Sequence, residues 1–333
     1  MARSVFFAAV VAVWATACTV ASPALADCQL GLVAEFHVDP KASVPIADGE
    51  INGHPVKVLI DTGSTFTSVV ASQAIALKLP AFHNHTIESY GVGGERAGFE
   101  VTIQSLKVGQ LEARNLHFIT VGSPSEASDV AIILGNDILS RYDVEFDMAD
   151  GYIRLLKPQG CSPDQLVYWN KPYSQADLVA SDRDSPVVMA TALLNGKRQP
   201  VQIDSGADVT IVDEHVASNL GVRRGGAGEV HIEGLGPQDR AGWIGQFDSF
   251  ALGDEQIAHP RLTVIKLAQD TVDNGGAYMV PKSLDGNTPP TMLIGADFIR
   301  AHHLLIGVQE HVLVFSYSGG PIFSAPAAPP AAK

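Results

Sequence analysis

The residues VLIDTGST at positions 58–65 decide the fold, because most of this stretch occurs a second time as VQIDSGAD at positions 201–208. In each copy a mostly aliphatic run ends at an aspartate, Asp61 or Asp204, which a hydroxylated residue and a glycine follow. This pattern predicts a strand that leads into a tight turn with a carboxylate at its tip. The glycine permits backbone conformations that a side chain would forbid, and it lets a second copy of the turn approach closely.

Other short motifs recur in the same order, so the two turns belong to an internal duplication. The repeated pairs are Asn52-Gly53 with Asn195-Gly196, Gly91-Val92-Gly93 with Gly234-Leu235-Gly236, residues 96–99 with 240–243, and ILGND at 133–137 with LIGAD at 293–297. Equivalent residues are 143 positions apart at the aspartates and 160 apart in the last pair. The second half therefore carries an insertion, which its Gly, Pro, Asn and Asp content places at 270–290.

These motifs resemble those of the aspartic proteases, both the two-lobed pepsin-like group and the single-lobed retropepsin-like group. In that superfamily each lobe carries Asp-Thr/Ser-Gly, then a flap with glycines, then two hydrophobic residues and a glycine. The resemblance covers roughly residues 45–157 and 185–318. It implies an all-β fold of two β-barrel lobes, related by a pseudo-twofold axis, with a few short helices.

The chain divides into five segments on this interpretation. They are a signal peptide (1–26), an N-terminal lobe (27–157), an interlobe connection (158–184), a C-terminal lobe (185–318) and a disordered Ala/Pro tail (319–333). Residues 68–79, directly after the first turn, predict a short helix.

A secretory signal is predicted at the N-terminus because Arg3 precedes an apolar run that ends at an Ala-Leu-Ala cleavage site. We expect an exported protein, periplasmic or secreted, with no transmembrane segment. Lipid attachment at Cys18 is not expected, because the residues before it lack the usual large aliphatic residue. The net charge of −14 argues against a nucleic-acid partner.

Two cysteines remain after removal of the signal, Cys28 and Cys161. In an oxidising compartment they are predicted to form a disulfide, with two unpaired thiols as the alternative. Neither has the spacing of a metal ligand. The histidine pairs His83 with His85 and His302 with His303 are interpreted as surface or strand residues, so no metal and no cofactor are expected.

The resemblance implies a role for each residue of the two turns. Asp61 and Asp204 would share one proton, so that one deprotonates water while the other protonates the substrate. Thr62 and Ser205 would form hydrogen bonds across the lobe interface. The other supporting residues are Gly63 and Gly206, which let the turns pack, and Ser64 and Ala207, of which Ser64 can donate its hydroxyl to the neighbouring aspartate.

The glycine-rich stretch YGVGG at 90–94 predicts the tip of a β-hairpin, because an alternating strand follows it. A phosphate-binding loop would need a helix in that place. In the resembling family this hairpin is the flap that closes over the substrate. Tyr90, Gly91 and Gly93 are therefore predicted to form the flap and to contact substrate.

Three functions remain open at this point. The first is a monomeric, exported endopeptidase whose Asp61/Asp204 dyad hydrolyses a protein or peptide substrate. The second is a catalytically weak relative that binds peptides. The third is a cell-envelope assembly protein that keeps only the fold.

Overall fold

The computed structural model describes residues 28–91, 94–125, 127–179, 186–225, 230–232, 240–267 and 290–323. For residues 82–91, 94–97, 231, 232 and 240 it describes the backbone alone. The predicted signal peptide with Cys18, the flap-tip residue Gly93 and nearly all of the 270–290 insertion lie outside the described residues.

The first half of the chain contains a closed barrel and further strands outside it. Its elements are β1 (Leu32–His37), β2 (Ile46–Ile51), β3 (His54–Ile60), β4 (Ser68–Val70), α1 (Ala71–Ala76), β5 (Ala81–Gly91), β6 (Gly94–Val108), β7 (Leu111–Val121), β8 (Val130–Leu134), α2 (Asn136–Leu139), β9 (Asp143–Asp147) and β10 (Tyr152–Leu156). Six strands follow the order β2-β3-β8-β4-β7-β6, and pairing of β2 with β6 closes the ring. Strand β5 lies outside this ring as the hairpin partner of β6.

The second half repeats the same strand order. Its elements are α3 (Pro163–Leu166), β11 (Ser174–Val179), β12 (Met189–Leu194), β13 (Lys197–Ile203), β14 (Ile211–Asp213), α4 (Glu214–Asn219), β15 (Val230–Ile232), β16 (Arg240–Gln246), β17 (Ser249–Leu252), β18 (Glu255–Ala258), β19 (Arg261–Ile265), β20 (Met292–Ile294), α5 (Ala296–Ala301), β21 (His302–Gly307) and β22 (Val312–Tyr317). The order β12-β13-β20-β14-β19-β16 matches the first barrel, and β17 pairs with both β12 and β18. The predicted all-β, two-lobed fold with a few short helices is confirmed.

A six-stranded antiparallel sheet joins the lobes, in the order β1-β10-β9-β21-β22-β11. Each half contributes three neighbouring strands, and the halves meet where β9 pairs with β21. The predicted interlobe connection, 158–184, is not an unstructured linker throughout. It contains α3 and β11, and β11 pairs with β22 and β12.

The repeated Asn-Gly pairs form the turns between the first two barrel strands of each half. Backbone φ is positive at all four residues, with values of 52° and 80° at Asn52 and Gly53 and of 48° and 72° at Asn195 and Gly196. Such turns favour asparagine and glycine and match the twist of a β-hairpin. Each asparagine side chain also accepts two hydrogen bonds from consecutive backbone N–H groups of a neighbouring segment.

The predicted helix at 68–79 is shorter than expected. Residues 68–70 form β4, which pairs in parallel with β7, and the helix α1 covers only Ala71–Ala76. The β-branched residues Val69 and Val70 favour an extended backbone, and both are buried in the barrel.

Contacts at both ends of the described chain fasten it to the lobes. Cys28 and Cys161 form a disulfide, as the export hypothesis predicted. The ring of Phe323 lies 5.3 Å from that of Phe250 and 6.1 Å from that of Phe298. The prediction of a disordered tail from 319 is therefore wrong for its first residues, because packed structure extends to residue 323. No helix within the described ranges is long and apolar enough to span a membrane.

Candidate active site

Each aspartate turn is anchored to its own barrel by the backbone. Strand β3 ends at Ile60, and the N–H of Asp61 then donates to the carbonyl of Leu134 on β8 at 3.0 Å. The equivalent N–H of Asp204, after β13, donates to the carbonyl of Ile294 on β20 at 2.9 Å. The two carboxylates therefore leave their barrels at equivalent positions.

Backbone N–H groups hold one oxygen of each carboxylate. The Asp61 Oδ1 accepts from Gly63 N at 2.8 Å and from Ser64 N at 3.1 Å. The Asp204 Oδ1 accepts from the corresponding N–H groups, those of residues 206 and 207, at 3.0 Å each. Residues Ser64 and Ala207 thus support the aspartates through the backbone, and their different side chains do not matter for this contact.

The predicted hydrogen bond from the Ser64 hydroxyl to its aspartate is wrong. That hydroxyl donates instead to the carbonyl of Phe66 at 3.0 Å. The backbone N–H of Ser64 already occupies the nearby carboxylate oxygen of Asp61, so the hydroxyl satisfies a carbonyl within the turn.

Thr62 and Ser205 form the reciprocal hydrogen bonds between the lobes that the resemblance implied. The N–H of Thr62 donates to Ser205 Oγ at 3.0 Å, and the N–H of Ser205 donates to Thr62 Oγ1 at 3.1 Å. Each hydroxyl then donates onward into the opposite lobe, to Ile203 O at 2.8 Å and to Ile60 O at 2.7 Å. Both side chains are 0% exposed, so water cannot replace these bonds, and the two turns are held in fixed register.

The turn glycines bring the carboxylates together. A Cβ atom at Gly63 would collide with the carboxylate of Asp204, and one at Gly206 would lie 2.5 Å from Cγ of Asp61. Each glycine is therefore required because its turn packs directly against the opposite aspartate. The carboxyl groups of Asp61 and Asp204 are close enough to hydrogen-bond to each other.

Burial raises the pKa of both aspartates above the ordinary value, and the charge of Asp204 raises that of Asp61 further. The backbone N–H groups act in the opposite direction, because they stabilise the charged carboxylates. Two carboxyls this close cannot both ionise without a large cost, so the pair holds one shared proton over a wide pH range. A singly protonated pair can offer a base and an acid at one place.

Behind the aspartates lies a pair of Thr–Asp contacts that the sequence analysis missed. The hydroxyl of Thr67 donates to Asp137 Oδ1 at 2.7 Å, and that of Thr210 donates to Asp297 Oδ1 at 2.6 Å. Each threonine oxygen accepts the N–H of the motif glycine, Gly135 or Gly295, at 3.0 Å. The signal was available, because these residues recur at the same spacings of 143 and 160 as the motifs around them.

The predicted flap is a hairpin in the structure. Strands β5 and β6 pair from Ala81 to Gly91, and Gly91 faces Gly94 across the end of the hairpin. Tyr90 lies on β5 opposite Glu95, but its side chain is outside the described part of the chain. Its contact with substrate stays a prediction.

The remaining candidate for a metal is a cluster on the interlobe sheet. Glu145, Asp147 and His303 place one possible ligand atom each within 4.8 Å of one another, the only such group within the described ranges. Glu145 accepts hydrogen bonds from His303 at 2.6 Å, from the Tyr168 hydroxyl at 2.6 Å and from Arg154 at 3.1 Å. The Arg154 guanidinium also lies 4.0 Å from Asp147. Because a cation already compensates these carboxylates, we interpret the cluster as a buried ion-pair network.

His302 and His303 were predicted to be surface or strand residues. Both lie in the strand β21, but both are buried, so the surface alternative is wrong. His83 and His85 lie in β5, where only the backbone is described.

Comparison with protein families agrees with this geometry in both halves. Residues 47–141 match a family of gag-polyprotein aspartyl proteases, and residues 190–298 match a second aspartyl protease family. Each matched segment contains one aspartate turn and one hydrophobic-hydrophobic-Gly motif.

Fold and site thus define a two-lobed protein with a paired-aspartate centre. The chain belongs to the aspartic protease superfamily, with two retropepsin-like domains in tandem. A comparison with curated proteins finds no match.

Proposed function

We propose that this protein is an exported aspartic endopeptidase that hydrolyses protein or peptide substrates at the Asp61/Asp204 dyad. The observation that carries the proposal is the contact of each turn glycine with the opposite carboxylate. Together with the reciprocal Thr62–Ser205 bonds, it fixes two acids face to face at the junction of the lobes.

The arrangement supports peptide hydrolysis because one aspartate can act as a general base while the other acts as a general acid. The ionised carboxylate takes a proton from a water molecule, whose oxygen attacks the carbonyl carbon of the peptide bond. The protonated carboxyl gives its proton to the carbonyl oxygen, which forms a neutral tetrahedral intermediate. As the C–N bond breaks, the carboxyl that took the proton from water gives it to the amine nitrogen, which leaves. A hydroxyl of the intermediate returns its proton to the other carboxylate as the C=O bond re-forms. The dyad is then singly protonated again.

The hairpin of β5 and β6 is the proposed flap over the bound peptide. It is formed by β6, a strand of the closed ring, and by β5, which pairs with β6 outside that ring. We assign the contact with substrate to the neighbourhood of Tyr90. Export to the periplasm or the medium is supported by the N-terminal sequence and by the Cys28–Cys161 disulfide, which an oxidising compartment favours.

Cleavage-site mapping on a peptide library tests this function. Mature wild-type protein should cut a defined subset of peptides, and a pepstatin-like mimic of the tetrahedral intermediate should block the cleavage. Asp61→Asn should remove the activity. Asp254→Asn serves as the matched control, because this exposed residue lies in the turn between β17 and β18. A wild-type protein that binds the mimic without cutting any peptide would favour the peptide-binding alternative instead.

A further inference from the structure

The pseudo-twofold symmetry of the dyad is broken by two side-chain amides. Asn136 Nδ2 donates to the carbonyl of Thr62 at 2.7 Å, and Gln202 Nε2 donates to the carbonyl of Gly63 at 2.9 Å. Asn136 is 1% exposed and Gln202 is 4% exposed. Both amides therefore act on the turn of Asp61, and Gln202 does so from the opposite lobe.

The turn of Asp204 has no such donors at the equivalent positions. The counterpart of Asn136 is Ala296, because their backbone N–H groups donate to equivalent residues of the two turns. The counterpart of Gln202 is Leu59, two residues before the first aspartate. Neither alanine nor leucine carries a polar side chain. Within the described part of the chain, no side-chain amide donates to the carbonyl oxygens of residues 205 and 206.

The amides are linked to the carboxylate of Asp61 through two peptide groups. Thr62 supplies the carbonyl of the first peptide, whose N–H, on Gly63, donates to Asp61 at 2.8 Å. Gly63 supplies the carbonyl of the second, whose N–H, on Ser64, donates to Asp61 at 3.1 Å. A peptide group whose carbonyl accepts a hydrogen bond is more polarised, and its N–H becomes a stronger donor. Both donors to Asp61 are strengthened in this way, whereas those to Asp204 are not.

We propose that Asn136 and Gln202 are positioning residues that make Asp61 the ionised member of the dyad and leave the shared proton on Asp204. The meaning for catalysis rests on the proposed function: Asp61 would then deprotonate the water, and Asp204 would protonate the substrate. Because Gln202 reaches across the interface, its contribution requires the two lobes to be docked.

Few other charged groups face Asp61 from the elements packed against it. The opposite turn supplies Asp204 and the exposed Asp208, and α2 supplies Asp137, whose carboxylate accepts from Thr67. Asp208 is exposed and Asp137 is engaged by Thr67. Asp204 itself, however, raises the pKa of Asp61, and the hydrogen bond from Asp61 acts to lower the pKa of Asp204. The slightly deeper burial of Asp61 works against its ionisation, so the decisive measurement is the change in its titration when an amide is removed.

Titration of the aspartate carboxyl carbons by NMR, on full mature protein labelled with ¹³C at Asp Cγ, tests the proposal without any substrate. In Asp204→Asn only Asp61 of the dyad titrates, and in Asp61→Asn only Asp204 does. Into each background we would introduce Gln202→Leu and Asn136→Ala, which install the residues of the other half. The proposal predicts that the two changes raise the midpoint of Asp61 by roughly 0.5–1 pH unit and move that of Asp204 much less.

An equal shift of both midpoints, or no shift of Asp61, would overturn the assignment. Gln202→Leu nearly preserves the side-chain volume, so it decides the question alone if Asn136→Ala does not fold. The result of the titration does not depend on the result of the cleavage assay. If the midpoint of Asp61 shifts as predicted but no peptide is cleaved, the proposed function is rejected and the charge assignment stands. If peptides are cleaved but the midpoint of Asp61 does not shift, the proposed function stands and the charge assignment is rejected.

Discussion

At the scale of single residues, the paired hydroxyls of Thr62 and Ser205 control how the two halves meet. Each hydroxyl both accepts an N–H from the other turn and donates to a carbonyl of the opposite lobe. Replacement of one hydroxyl by a methyl group therefore leaves a buried donor and a buried acceptor without partners. Loss of a partner at a buried polar group costs about 1–3 kcal/mol.

Thr62→Val is expected to lower the free energy of unfolding by roughly that amount, because valine keeps the shape of threonine but not its hydroxyl. Thr62→Ser is the matched control, since it keeps the hydroxyl and reproduces the residue of the second turn. Urea unfolding of both variants measures the difference. Equal stabilities would show that the hydroxyl pair does not hold the lobes.

The dyad also makes the stability of the protein depend on pH. Burial and the closeness of the two carboxyls raise the pKa of the dyad above the ordinary value of 3.8. Between the unfolded and folded pKa values the folded protein binds more protons, so its stability falls as the pH rises through that window. In the Asp61→Asn variant the amide cannot ionise, so the pair no longer shares a proton. The free energy of unfolding of this variant should fall less steeply than that of the wild type between weakly acidic and weakly alkaline pH.

Thermal unfolding over a pH series, with Asp254→Asn as the control, measures this slope. The control should follow the wild type, because its carboxylate is exposed. A wild type whose stability rises over the same window would show that the two carboxyls do not share a proton.

At the scale of elements, the seam between β9 and β21 is the structural junction of the halves. Burial alone would raise the pKa of Glu145 on β9, but hydrogen bonds from His303 and Tyr168 and the nearby positive charges lower it. Glu145 is thus a buried carboxylate whose charge is matched by groups from both halves. Removal of one member of such a pair is costly, because the other charge stays buried without compensation.

Glu145→Ala is expected to destabilise the protein by about 3–5 kcal/mol. Glu35→Ala is the matched control: Glu35 also binds Arg154, at 2.8 Å, but its side chain is 28% exposed. Partly solvated pairs contribute about 0–1 kcal/mol. Denaturant unfolding of the two variants gives the comparison, and a Glu35→Ala effect as large as that of Glu145→Ala would contradict this account of the seam.

At the scale of the whole molecule, the repeated motifs allowed the fold and the aspartate pair to be predicted, because both depend on similarity between the halves. The interlobe sheet was missed because its outer strands, β1 and β11, lie outside the repeated motifs and pair with β10 and β22, which are distant in the chain. Asn136 and Gln202 were missed because they are differences between the repeats. The partner of the Ser64 hydroxyl depended on a competition within one turn, which the sequence does not decide.

The disulfide is predicted to stabilise the whole molecule. It closes a loop between cysteines 133 positions apart, for which the chain-entropy model gives roughly 4–5 kcal/mol. The double variant Cys28→Ser/Cys161→Ser should lose up to about that free energy of unfolding. Thiol titration of the denatured, unreduced mature protein provides the check, and two reactive thiols per chain would reject the bond.

The central claim is that one chain makes one dyad from its two repeats, and hydrolysis by wild type, Asp61→Asn and Asp204→Asn over a dilution series tests it most directly. Each substitution should abolish cleavage, because either one removes half of the acid–base pair. The specific activity of the wild type should not fall on dilution, since Asp61 and Asp204 are joined by the same chain. An Asp204→Asn protein that keeps full activity, or a wild type that loses activity on dilution, would show instead that equivalent repeats of two chains pair.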